Sequence, residues 1–375
     1  QEGNLWYGDG FQSGGLSRYN PKTREEKTYT TKDGLPENNV WSIEPAADGG
    51  LWVGTEIGLA RYRDGKIEDW REKLGIATGA VWKLRRDAEN NLWISSGQGL
   101  HILQPTPPTG AGKLPALPQR GVDQAMIEGF RRISITASNG LPDPDIHCSA
   151  QTRDGIIWMG SQGRGLIGYD GNAFTTIDSR DGPIGTQVLC LKEDKDDSLW
   201  VGIGHGGLTH FRRTKSKPTI RFTEVQMDEA SFTEFEKLPA VEIGKRVTVR
   251  YREIDLKTHP DKRQFGCEVK GPSGQTLYKG TTKDRQFEWV PRKGGRYSFE
   301  VRAIDRDLNY SKPVGISFRA TVPWYANAWI LAPMGGTFAG LLAWAFIARI
   351  LYVRRSREAA GLRERARIAR DLHDH

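Results

Sequence analysis

The sequence predicts a mainly β chain: a partial β-propeller of four-stranded blades over residues 1–216, then an immunoglobulin-like β-sandwich over 217–321. One transmembrane helix over 324–348 and a short coiled-coil-like cytoplasmic helix over 349–375 complete it. Three observations carry this reading. A Leu-Trp or Ile-Trp pair recurs at Trp6, Trp52, Trp93, Trp158 and Trp200; a second region alternates apolar residues without that repeat; and residues 320–348 contain no charged side chain. Composition agrees, since 44 of the 375 residues are glycine and 12 are tryptophan, a surplus suited to tight turns and packed sheets. With 37% hydrophobic and 27% charged residues, a disordered or collagen-like chain is excluded.

The tryptophan spacings are 46, 41, 65 and 42 residues, and a period near 42 with several short strands per unit is the signature of propeller blades. The units read NLWYGDG (4–10), GLWVGTEIGLARY (50–62), NLWISSGQGL (91–100), IIWMGSQGRGLIGY (156–169) and SLWVGIGHGGL (198–208). Within a unit the order is an alternating strand such as that around Val40, Trp41, Ser42 and Ile43, an acidic-glycine turn, the Leu-Trp strand, and a Gly-Leu-x-x-Tyr strand. Residues 104–120, with five prolines and no apolar period, account for the long interval as a surface insertion. No 3.5- or 3.6-residue period runs through this half, which excludes a helical repeat.

An indole at a fixed place in each blade fills the gap between neighbouring sheets; sugar stacking is the competing role, and no aromatic platform can be separated from the core tryptophans by sequence alone. Cys148 and Cys190 stand ten residues before Trp158 and Trp200, where other blades have Ser42 and Lys83. Equivalent sites on adjacent sheets seldom bring Cα atoms within the ~7 Å a disulfide needs, so no bond is expected between them. Three cysteines also cannot staple a chain of this length, and stability must come from core burial. His147, His205 and His210 lack ligand-like spacing to carboxylates or thiols, so no metal site is predicted. Asp33, Asp48, Asp87 and Asp154 recur at turns, where aspartate caps tight bends, rather than as a catalytic carboxylate pair.

From residue 217 the tryptophan repeat gives way to short alternating strands marked by Val247, Val249 and Tyr251, by Phe265, Cys267 and Val269, and by Phe287 and Trp289. The longest of them is the run GRYSFEVRA at 295–303. Roughly 100 residues of this kind between Gly and Pro turns predict a small β-sandwich.

Residues 329–348 supply twenty mostly apolar positions, enough at ~1.5 Å per residue to cross a ~30 Å hydrocarbon core. Trp324, Tyr325 and Trp329 at one end and Tyr352 at the other suit the interface, and Pro333, Gly335 and Gly336 soften the first half. The twenty residues before Trp324 hold three basic side chains, whereas the twenty from Arg349 hold seven arginines, which places the C-terminal side in the cytoplasm and residues 1–321 outside it. Arg349, Arg354, Arg355 and Arg357 meet the anionic inner leaflet. Eight arginines against four acids in 349–375 give +4 there, half of the net +8, so the basic balance marks a membrane face and predicts no direct nucleic-acid partner. Ala359, Leu362, Ala366, Ala369 and Leu372 form a narrow apolar stripe that calls for a partner helix, and a homodimer supplies one.

Three resemblances follow from these residues. The tryptophan units, with the turns Asp33-Gly34-Leu35-Pro36 and Asn139-Gly140-Leu141-Pro142, resemble the two-component regulator propeller repeats that stand outside the membrane in large bacterial sensor kinases. Residues 295–305 and Asn309-Tyr310-Ser311 resemble the triple-tyrosine domain that follows such propellers, although Phe265 and Phe287 stand where tyrosines are usual, so ring packing rather than hydroxyl chemistry is expected there. The stretch Glu364-Arg365-Ala366-Arg367-Ile368-Ala369-Arg370-Asp371-Leu372-His373-Asp374 resembles the phosphoacceptor box of histidine kinases that partner response regulators with helix-turn-helix output.

The last resemblance implies that His373 is the phosphoacceptor and that Asp374 is its orienting group and general base, with His375 a bystander. It also implies ATP and Mg²⁺ bound by a domain beyond residue 375, since no glycine-rich phosphate loop occurs in the chain. Two extensions of the chain are expected accordingly, further blades before Gln1 and the ATP-binding domain after His375. The function implied is a sensor histidine kinase of the bacterial inner membrane, in which an extracytoplasmic ligand, an oligosaccharide by resemblance, controls autophosphorylation and transfer to a response regulator. A membrane-tethered carbohydrate-binding or hydrolytic propeller protein is the alternative, and a third variant joins the same outer domains to another output.

Overall fold

The structure, a computed structural model, describes residues 3–10, 14–76, 79–106, 122–323 and 328–371. The first half and a little more of the chain, through Phe211, forms five antiparallel sheets in chain order. The first comprises β1 (Leu5–Asp9), β2 (Gly15–Tyr19) and β3 (Glu26–Tyr29); the second, β4 (Val40–Pro45), β5 (Leu51–Thr55), β6 (Gly58–Arg63) and β7 (Lys66–Asp69). After a single helical turn, α1 (Arg71–Leu74), come β8 (Val81–Arg86), β9 (Leu92–Ser96), β10 (Gly99–Pro105), β11 (Asp123–Ile127) and β12 (Phe130–Ile135). The fourth sheet is β13 (Ile146–Gln151), β14 (Ile157–Ser161), β15 (Leu166–Tyr169) and β16 (Phe174–Ile177), and the fifth is β17 (Val188–Glu193), β18 (Leu199–Ile203) and β19 (Gly207–Phe211). The inner strands β4, β8, β13 and β17 neighbour one another around the arc, as in a propeller.

The repeated indole packs forward onto the next sheet. Trp52 joins Val81, Leu84 and Ile94 of the third sheet, Trp93 joins Ile146 and Met159 of the fourth, and Trp158 joins Val188 and Val201 of the fifth. All three are buried, whereas Trp200, with no sheet beyond it among the described residues, is 39% exposed. Glycine two residues after the indole permits the approach, because a Cβ on Gly54 would lie 2.7 Å from Val81 and one on Gly160 2.6 Å from Val188. The indole N–H finds a carboxylate where one stands six residues earlier: Trp93 donates to Asp87 at 2.7 Å and Trp200 to Asp194 at 3.0 Å. In the fourth sheet Thr152 holds that place, and Trp158 Nε1 is buried without a partner.

Two features depart from simple alternation. Each of the four inner strands carries a bulge after its first residue, between Val40 and Ser42, Val81 and Lys83, Ile146 and Cys148, and Val188 and Cys190. The third sheet runs in the order β11-β12-β10-β9-β8, so its long interval contains a fifth strand as well as a loop, and β10 continues through Pro105 rather than ending before the insertion. Proline is tolerated at that strand end because Thr106, just beyond it, supplies an amide and a hydroxyl to the Gly129 carbonyl. The insertion itself, residues 107–121, lies outside the described residues.

Two further sheets form the sandwich. One has the order β21 (Ala230–Phe232), β20 (Thr219–Met227), β23 (Val247–Ile254), β26 (Gln286–Trp289). The other has β22 (Val241–Glu242), β28 (Val314–Thr321), β27 (Gly295–Ile304), β24 (Gln264–Lys270), β25 (Thr276–Thr282). Alternate residues of β23, β24 and β27 close one core. Phe265 meets Tyr251 edge-on at 4.9 Å and Phe287 stacks on Phe299 at 5.0 Å, so both phenylalanines contribute ring packing. The Cys148, Cys190 and Cys267 thiols are free.

The chain then enters α2 (Ala328–Asp371), one uninterrupted helix of 44 residues, ~66 Å long. The apolar segment and the arginine-rich segment are therefore one rod rather than two helices, and Pro333 sits within its second turn. The helix is long and apolar enough to cross a membrane. Its apolar side chains, from Leu331 to Leu351, are exposed to the surroundings rather than packed on the β domains.

Candidate functional site

His373 and Asp374, the residues singled out for phosphoryl chemistry, lie outside the described residues, as does His375. What the structure does show is how the sheets are joined to the helix that leads to them. The carboxyl end of the last sandwich strand, β28, is Thr321, and α2 begins at Ala328, so only a short segment separates the two. On α2, Arg349, Arg354, Arg355 and Arg357 are exposed, and so is Leu362 of the apolar stripe, at 66%.

Apolar and charged side chains of both β domains come together at the junction between the fourth and fifth sheets and the sandwich. Ile304, Leu308 and Tyr310 leave the sandwich and enter the same core as Trp158, Leu166, Ile177 and Phe211 of the propeller. A polar lattice surrounds this apolar bridge. Asp305, fully buried, folds the β27–β28 connection back on itself by accepting from the amides of Asp307 at 2.9 Å and Asn309 at 2.8 Å. Lys257 approaches it at 3.1 Å. Asp307 accepts from Thr214 at 2.5 Å, and its carbonyl accepts from Arg213 at 2.9 Å, while Arg213 also pairs with Asp154. Thr175 donates to the Arg306 carbonyl at 2.8 Å, Gln264 to the Phe174 carbonyl at 2.6 Å, and Tyr310 to Asp170 at 2.6 Å.

The centre of this lattice is Lys262, on a short 3-10 turn of the sandwich and only 6% exposed. Its ammonium lies 3.0 Å from Asp178, pairs with Asp181, and donates to the Thr176 carbonyl at 3.2 Å. Asp181 is in turn 3.7 Å from Arg306. Arg180, and then Lys262, hold the Asp178 carboxyl well below the usual carboxylate range. Burial first, and then Asp170, pushes the Tyr310 phenol up and Tyr169 up to about 12, so both rings keep their phenolic proton at neutral pH. An apolar bridge sheathed by ion pairs and hydrogen bonds joins the fourth and fifth sheets to the sandwich as one unit.

Other sequence-flagged groups take structural parts. Asp33 caps the Thr30 turn, Asp48 accepts from the Gly50 amide, Asp87 from the Glu89 and Asn91 amides, and Asp154 from Thr152. His210 does come close to carboxylates, since candidate ligand atoms of Asp194, Asp196 and His210 lie within 4.8 Å of one another. The sequence spacing conceals this because His210 faces them from the edge strand of the hairpin. Yet Asp194 is engaged by Trp200, Asp196 by Ser198 and Arg212, and His210 by Ser198.

The bulges aim a different set of rings. Trp41, Trp82 and His147 occupy the bulge in three successive blades and form a half-buried ladder, with centroids 5.4 Å and then 4.8 Å apart. Trp41 donates to Glu56 and Trp82 to Asp145. These aromatics are separable from the core indoles once the bulge is seen, which no residue pattern announces.

The sequence pattern of the two component regulator propeller family matches residues 34–56 and 140–163, the stretches that include β4–β5 and β13–β14. No curated protein matches the chain. Among solved structures it is similar to the extracellular domain of a protein described as a hybrid two-component system from B. thetaiotaomicron, at 18% identity and a TM-score of 0.47, covering 85% of this chain and 44% of that one. A second such domain from the same organism aligns at 15% identity and a TM-score of 0.38, covering 86% and 43%. PorZ, a surface component of the type-IX secretion system of Porphyromonas gingivalis, aligns at 13% identity and a TM-score of 0.22, covering 86% and 58%. The chain thus spans less than half the length of the first two.

Proposed function

We propose that this chain is the sensory and membrane-spanning portion of a two-component histidine kinase, with its β domains outside the cytoplasmic membrane and His373 as the phosphoacceptor within. The observation that carries the proposal is the helix: one continuous rod leaves the sandwich, is uncharged through residue 348, and turns abruptly arginine-rich before the phosphoacceptor-like sequence. The propeller-family match at two blades supports the same reading.

A signal on the outer domains shifts an equilibrium between two arrangements, and its differential affinity for them sets how far. Because the propeller and sandwich share a core at the junction, rotation of the last sheets moves β27 and β28, and β28 leads to α2 within a few residues. In the cytoplasm a neutral nitrogen of His373 attacks the γ-phosphoryl group of ATP as its bond to the β,γ-bridging oxygen breaks and ADP leaves; Asp374 orients the ring and takes up the proton of its other nitrogen, and the phosphoryl group passes on to a response regulator. ATP and Mg²⁺ are held by a separate nucleotide-binding domain. The described residues do not fit them, since the glycine-rich turns belong to β hairpins rather than to a strand-to-helix phosphate loop. A homodimer pairs the stripe that contains Leu362. The capping duties of Asp48, Asp87 and Asp154 favour this sensor over a hydrolase.

Topology mapping tests the arrangement. A cytoplasm-specific reporter fused after Arg357 is active and a periplasm-specific one is silent; the opposite pattern inverts the proposed orientation and removes His373 from ATP.

A further inference from the structure

Beside the Lys262 lattice a cavity of about 630 Å³ opens between the fourth sheet and the sandwich, within the size range of small-molecule sites and at the kind of domain boundary where they concentrate. Its charge is unbalanced. Arg164, Arg180, Lys262 and Lys283 line it against a single carboxylate, Asp261. Arg180 and Lys262 are committed to Asp178 and Asp181. Arg164 and Lys283 are exposed and form no ion pair among the described residues. They also come from opposite walls, Arg164 from the β14–β15 turn of the propeller and Lys283 from the segment after β25 of the sandwich. Two unpaired cations facing one concavity from two domains raise the local concentration of anions and reward one that reaches both. Between them, amides and hydroxyls such as Asn172, Gln264 and Thr281 can bond neutral oxygens, and the stacked pair Tyr169 and Phe174 gives one apolar wall.

We infer that this cavity binds a multiply charged oxyanion of small-molecule size, one bearing at least two carboxylate or sulfate groups on a polar frame. It bridges Arg164 and Lys283 and so clamps the propeller to the sandwich next to the existing junction. Binding rests on the cavity alone; its service as a signal rests on the sensor reading above.

Calorimetric titration of the full chain in nanodiscs tests this with four probes: a disulfated disaccharide, citrate, inorganic sulfate and an uncharged disaccharide. The disulfated disaccharide or citrate binds measurably, whichever of the two fits better identifying the carrier, while the uncharged disaccharide does not, and affinity falls as salt is raised. Arg164→Gln and Lys283→Gln each weaken binding about 10-fold or more, the scale of one charged hydrogen bond, and the double variant abolishes it. Both side chains are exposed, and an unchanged thermal midpoint shows that the variants fold. Equal affinity for the uncharged disaccharide, full affinity in the double variant, or sulfate binding as tightly as the larger anions overturns the inference. Because heat of binding is read without phosphorylation, failure of the kinase reading is recognised separately.

Discussion

Replacing Lys262 by Met tests whether the propeller sheets and the sandwich move as one unit. The ammonium is 6% exposed and serves Asp178 at 3.0 Å, Asp181, and the Thr176 carbonyl at 3.2 Å. Methionine fills much of the volume but leaves the Asp181 carboxylate, 1% exposed, with only Arg306 at 3.7 Å as a counter-charge. Asp178 keeps Arg180 at 2.8 Å. Removing one partner of a buried ion pair costs about 3–5 kcal/mol, and the loss falls on the junction rather than on either domain core. Denaturant unfolding in micelles is the assay, followed by tryptophan fluorescence, since eight of the twelve tryptophans lie in the propeller and one, Trp289, in the sandwich. The variant unfolds earlier and in two resolved steps. Adding Asp181→Asn returns part of the loss, because it removes the charge left unpaired. A single transition within about 0.5 kcal/mol of the parent, with additive single and double variants, refutes the reasoning.

Trp93→Ala costs about 3–5 kcal/mol because its indole is wholly buried against the fourth sheet, whereas Trp200→Ala, at 39% exposure, costs less than half as much. Equal losses in denaturant unfolding contradict a forward-packing role for the repeated indole. His101 gives a pH signature: burial, and secondarily Arg132, lowers it from 6.5 to about 4. The unfolded chain then takes up a proton that the folded chain refuses, so stability is full above about pH 6.5 and falls by ~3 kcal/mol as pH drops to about 4. His101→Gln flattens that segment of the stability curve, and an unchanged slope sinks the assignment.

The blades were legible because their signal is local. An indole and a turn acid recur at one period, with a glycine two residues after the indole in four of the five units, and each has one job: forward packing, indole or turn bonding, and close approach. The long apolar helix was legible for the same reason, as an uninterrupted property of neighbouring residues. The bulge was not, because Trp41, Trp82 and His147 look like alternating strand residues until the partner register is known. Nor was the junction: Lys262 meets Asp181 across 81 residues and Tyr310 meets Asp170 across 140, and nothing in a lone lysine or tyrosine announces such a partner. The unpaired Arg164 and Lys283 share that character, since only the packing of two domains puts them around one cavity.

Phosphorylation of His373 is the decisive measurement. The chain fused after His375 to the ATP-binding domain of a histidine kinase, and incubated with γ-labelled ATP and Mg²⁺, acquires an acid-labile label that His373→Gln abolishes, while the variant still assembles in the membrane. Undiminished labelling of His373→Gln contradicts the assignment of the phosphoacceptor and the signalling role built on it.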